Sequence, residues 1–172
     1  MKSQKGLVGW IVLGILAMMI IFGGLTVVNS DKSIPGDYSY FIKEISENLK
    51  LGTNELNFEG RARLYVEMTE ERMKELQELV KKGNRDKEII ETLEKLQDQQ
   101  TKALANLERA RARATDVAEL LNSIEENVQN QQNLFPQLAY QVVGPAQEAF
   151  QKALIFSNET LSKVENLKAN LR

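Results

Sequence analysis

The chain has no cysteine and no histidine, and only three of its 172 residues are proline. It therefore forms no disulfide, carries no thiolate nucleophile or imidazole base, and lacks the side chains that zinc, copper and haem usually require. No metal or other cofactor is expected. Aromatic residues make up 6% of the chain, and a net charge of −2 comes from 22 basic and 24 acidic residues dispersed among one another. No basic stripe is present to neutralise phosphates, so nucleic acid is not an expected partner. Calcium loops, phosphate-binding glycine loops and nucleophile elbows are also missing, and the chain reads as a non-enzyme.

What is present favours helix. Beyond residue 30 the common residues are Leu, Ala, Glu, Lys, Gln, Asn and Arg, in a length that suits one ordinary domain. Before that, no residue from Leu7 to Val28 is charged, and as a helix this run extends about 33 Å, enough to span a bilayer core. Lys2 and Lys5 precede it, whereas Asp31, Lys32 and Asp37 follow without a positive excess, which orients the N-terminus to the cytoplasm. The expected organisation is a cytoplasmic tail over 1–6, a transmembrane helix in membrane lipid over 7–28, a linker over 29–36 and an extracytoplasmic helical bundle over 37–172. The apolar run admits two other readings. A signal peptide cleaved after Ser30 is disfavoured because secretory apolar regions usually run about 7 to 15 residues. A prepilin-like leader ending at Gly6 lacks the expected glutamate, and no strand pattern follows it.

Asp37 suits the N-cap of a first helix, with Phe41, Ile42, Ile45 and Leu49 at helical spacing until Gly52. A second helix is expected from about Glu55 to Lys82, ended by Gly83, with a seam of Phe58, Ala62, Tyr65, Thr69, Arg72, Leu76 and Leu79. The third has the strongest pattern: Ile89, Leu93, Leu96, Gln100, Ala103, Leu107, Ala110, Ala114, Val117, Leu121, Ile124 and Val128 alternate three and four. No breaker interrupts Asp86 to Gln132, so one long rod is expected there, with at most a bend in the Arg-Ala-rich stretch. Asn133 to Pro136 should turn the chain, with Pro136 in the first turn of the last helix and Gly144-Pro145 kinking that helix or delaying its start. The fold class is all-α: the transmembrane helix, then an elongated antiparallel bundle of three to four coiled-coil-like helices.

Pro35-Gly36-Asp37, then Tyr40 and Lys43, followed by a helix containing Glu70-Glu71-Arg72 and Glu75, resemble a bacterial domain-of-unknown-function family. Its members open with Pro-Gly-Asp-x-x-Tyr-x-x-Lys just outside a membrane or signal segment. The resemblance covers about Ile34 to Val80 well, and the rest only as generic long helices. It implies an extracytoplasmic helical domain and adds no catalytic residue.

Polar residues on the seams are the remaining candidates. Arg72 would be costly if buried alone, so it should meet a carboxylate, with Glu44 and Glu47 as candidates; an ion pair setting helix register is favoured over a ligand pocket. Gln100 is read the same way. Arg109, Arg111 and Arg113 are candidates for gripping an anionic partner, but alternate residues lie about 200° apart on a helix. Arg111 therefore points away from the other two, and a solvated face is the simpler reading. The leading expectation for function is a membrane-anchored, non-catalytic protein mediating interaction, spacing or assembly at the bacterial cell envelope, through a protein partner or homo-oligomer. The alternative is an extracytoplasmic sensor or ligand-binding bundle that signals through a partner membrane protein.

Overall fold

The computed structural model describes residues 33–37, 40–53, 57–113 and 115–171, and the expected transmembrane span over 7–28 lies outside them. The described residues form five helices and no strand: α1 (Tyr40–Thr53), α2 (Phe58–Lys82), α3 (Asp86–Ala112), α4 (Ala118–Ala139) and α5 (Pro145–Ala169). None of these helices is long and apolar enough to cross a membrane. The chain divides into two compact units, 1–46 and 47–172, with the boundary inside α1.

In the first unit, Asp37 closes a tight turn. Its backbone N–H donates to Ile34 O at 3.0 Å, and its Oδ2 accepts the Ile34 N–H at 3.2 Å. Gly36 sits within the turn at φ 92°, a left-handed conformation that favours glycine. The Tyr40 N–H then donates to Asp37 O at 3.1 Å as α1 begins.

The second unit is two helical hairpins laid side by side. Asn57 caps α2 by accepting the Gly60 N–H at 3.1 Å, and Gly83 ends it at φ 66° with its N–H shared between Leu79 O and Val80 O. The chain reverses into α3, which runs antiparallel to α2, so that the Arg113 guanidinium stands 4.4 Å from the Phe58 ring centroid at the far end. Helices α4 and α5 form the second hairpin, with the Phe135 and Phe150 rings 5.9 Å apart near its turn. The hairpins meet α2 against α4 and α3 against α5. Across both seams the helices are parallel: Arg63 pairs with Glu119 and Thr69 with Asn127, while Arg111 reaches Asn170. Antiparallel packing thus holds within each hairpin, and parallel packing between them.

The expected rod over 86–132 is broken. Helix α3 stops at Ala112 and α4 starts at Ala118, with the Asp116 Oδ1 accepting the Ala118 N–H at 3.0 Å. A short acidic side chain that bonds its own backbone competes with the helical ladder and favours a new start. The apolar seam did not register this, because Ala110, Val117 and Leu121 are buried on both sides of the turn. Asp116 followed three residues later by Glu119 is the spacing of a helix start, and it was the available signal.

The expected turn over Asn133–Pro136 is also absent. Helix α4 continues through Pro136, and the chain turns at 140–144 before Pro145 opens α5. Pro136 forfeits one backbone hydrogen bond near the helix end, but Phe135 and Leu138 on either side are buried. Burying two such side chains contributes about 1.5–3 kcal/mol each, comparable with the roughly 3 kcal/mol cost of an interior proline. Gly144, at φ 65°, makes the turn that Pro136 was expected to make.

Candidate functional site

Arg72 is the largest fully buried side chain of the second unit, at 1% exposure. Its guanidinium bonds Glu47 of α1, and its Nη1 stands 3.3 Å from Glu75 Oε2 one turn along α2. Of the two carboxylates considered for it, Glu47 makes this contact, and Glu75 joins from Arg72's own helix. A charge taken this far from water persists only with such partners.

One to two turns further toward the start of α2, a second polar set crosses the bundle. Thr69 Oγ1 lies 3.1 Å from Asn127 Oδ1, which also accepts from Gln131 Nε2 at 2.7 Å, and Gln131 Oε1 accepts from Ser157 Oγ at 2.8 Å. Three helices are thereby joined. The antiparallel register of α2 and α3 brings Gln100 to the same level, where both of its amide atoms are buried without a hydrogen-bond partner among the described residues. Amides bonded across helices, as Asn127 and Gln131 are, oppose sliding by one turn because it would break those bonds, whereas Gln100 has no such bond to lose. The layer closes one end of an apolar cluster that includes Ala62, Tyr65, Ala103, Leu107, Leu121 and Ile124.

The three arginines at the end of α3 divide between two contacts. Arg109 and Arg113 flank the Phe58 ring at 5.7 and 4.4 Å, whereas Arg111 donates to Asn170 O at 3.0 Å. Each contacts another helix of its own chain. Glu119 is taken by Arg63, whose own pKa is raised mainly by its hydrogen bond to Glu59.

Two residues of the opening motif, Tyr40 and Lys43, are buried in α1, as is Pro35 in the turn before it. Among the described residues no group of three or more carboxylates is placed to hold a metal ion.

The described surface also carries grooves at the two parallel seams. The larger, about 420 Å³, lies between α2 and α4 over a floor of Met73 and Leu134, with Glu70, Lys74 and Gln77 on the α2 side and Asn130, Asn133 and Gln137 on the α4 side. The other, about 270 Å³, lies between α3 and α5 beside Leu93 and Ala149. Neither was foreseen, because the parallel seams that create them follow from the break at 113–117.

A model of the family described as domain of unknown function DUF5667 matches residues 32–169. The chain belongs to that family. No curated protein and no solved structure matches it. The DUF5667 match begins just before Pro35 and extends far beyond Val80, where the sequence resemblance had faded into generic helix. The paired hairpins lie within the matched residues, as do the turn at Asp37, the Arg72 cluster, the amide layer and both grooves.

Proposed function

We propose that this DUF5667 protein is a membrane-anchored, non-catalytic helical module that docks another protein at the outer face of a bacterial cell membrane. The observation that carries the reading is the outer surface of α4 and the turn after it. In a chain with 27% charged residues, none occurs from Asn127 through Gln147, although much of this stretch is exposed and Tyr140 and Val143 are 90% and 80% accessible. Charged residues are depleted at the centres of protein interfaces, where tyrosine is enriched, because a carboxamide or phenol is cheaper to desolvate than an ion. The buried polar groups, by contrast, serve internal bonding. Arg72 and the Thr69–Asn127–Gln131–Ser157 chain hold helices to one another, which suits a rigid presenting scaffold.

The anchor rests on the uncharged run from Leu7 to Val28 and the lysines before it, and the orientation on charge asymmetry. Chemical crosslinking of the full chain in intact cells, followed by mass spectrometry, tests both parts. The reading requires a protein partner or second copy joined to the helical domain, and recovery of the peptide beginning at Gly6 joined to its apolar run. Absence of any protein adduct, or a mature chain starting near Asp31, would overturn the corresponding part.

A further inference from the structure

We infer that the groove between α2 and α4 binds an extended, uncharged polypeptide segment, reading its main chain with side-chain amides and one apolar side chain with Met73 and Leu134. The inference rests on the docking reading above and names the partner's form.

The chemistry of the walls points to peptide. Gln77 stands on the α2 side, and Asn130, Asn133 and Gln137 stand on the α4 side. A carboxamide offers one acceptor and two donor hydrogens, which match the C=O and N–H of a peptide unit. Among the described residues, the carboxamides of Gln77, Asn130 and Asn133 make no hydrogen bond of their own. Gln137 Nε2 donates to Asn133 O at 2.9 Å, leaving its oxygen to accept. From Asn130 to Gln137 the helix rises about 10 Å, the length of about three extended residues.

The same features select against other occupants. A helical partner bonds its main chain to itself, so the wall amides would be covered without partners, at a cost. A glycan stacks its sugar rings on aromatic faces, and the floor here is the aliphatic pair Met73 and Leu134, with Tyr140 beyond the groove. Electrostatics add a further condition. The α4 wall has no charge, and the α2 wall carries one of each sign, the exposed Glu70 carboxylate and the Lys74 ammonium, which is 3.0 Å from Glu71. A charged side chain of either sign would meet a like charge on the α2 wall and none to pair with on α4, losing hydration there, so an uncharged segment fits best.

The test is selection of a random twelve-residue phage-displayed peptide library on the full chain in mild detergent, followed by fluorescence anisotropy with the selected peptides. Expected are peptides poor in charge whose affinity falls at least tenfold with Leu134→Glu and with the rim variant Asn133→Glu, and is unchanged by Lys163→Glu on α5. The rim variant lies outside the core, so a folding defect at Leu134 does not decide the result. Selected peptides that bind equally well to both groove variants would overturn the inference, as would their adopting helix when bound by circular dichroism, or displacement by a chitin oligosaccharide. So would a selection that yields no groove-dependent peptide. If crosslinking in cells still finds a partner and Leu134→Glu leaves that adduct intact, this inference fails while the docking reading stands.

Discussion

Asn127 on α4 lies beside Thr69 on α2, its Oδ1 3.1 Å from the Thr69 hydroxyl, and this contact sets two parallel helices from different hairpins in register. Gln131 and Ser157 extend the contact to α5. Removing one member takes a bond from each neighbour, whereas removing a group with no partner relieves a cost. Gln131→Leu should therefore lower stability by about 1 kcal/mol, leaving Asn127 Oδ1 with Thr69 alone and Ser157 Oγ with the Ala153 carbonyl alone, while Gln100→Leu should raise it by about 1 kcal/mol. Urea unfolding of the two variants, with unchanged slopes, checks the opposite signs.

The Arg72 cluster yields a second pair of outcomes. Glu47→Ala takes away a carboxylate that bonds a buried guanidinium, and a loss of about 2–3 kcal/mol is expected. Replacing Arg72 by Met together with Glu47→Gln and Glu75→Leu removes the charges as a group and should cost much less than Glu47→Ala alone, as read by thermal melting.

These residues also show what was visible in the sequence and what was not. Arg72 and Gln100 stood out as polar letters in apolar seams, and the spacing of leucines, valines and alanines specified the buried faces of α2, α3 and the first half of α4, whereas Ile45 and Leu49, read as part of the apolar face of α1, are exposed. The ends of α3 and α4 were obscured for a physical reason: Ala110, Val117 and Leu121 stay in phase across the turn, so periodicity alone reads through it. Pro136 carried the opposite error, a strong breaker outweighed by the burial of Phe135 and Leu138. The grooves lay beyond reach of the sequence pattern, since they depend on which hairpin faces which. Their one linear trace is the charge-free stretch from Asn127 to Gln147.

The turn at 113–117 can be tested on its own. Asp116→Ala removes the acceptor of the Ala118 N–H and should cost about 1 kcal/mol. Asp116→Asn, which keeps an acceptor oxygen, should retain most of the stability in the same denaturation assay.

Acid affects the α2–α3 turn through Glu88. The Arg85 hydrogen bond, 2.8 Å long, holds the Glu88 carboxyl below its ordinary value of 4.5. A depressed folded-state value stabilises the fold above the unfolded value and is lost as pH falls through the folded one. The stability difference between the wild type and Glu88→Gln should thus be constant above about pH 5.5, a unit above that ordinary value, and shrink on acidification below it. A difference that grows on acidification would reverse the assignment.

The most direct measurement of the docking account places a photo-reactive amino acid at Asn133, Tyr140 or Lys163 of the full chain in cells and resolves the adducts after irradiation. The account predicts a discrete protein adduct from Asn133 and Tyr140, on the charge-free surface, and none from Lys163 on the outer side of α5. Adducts of equal yield from all three positions, or none from Asn133 and Tyr140, would contradict it.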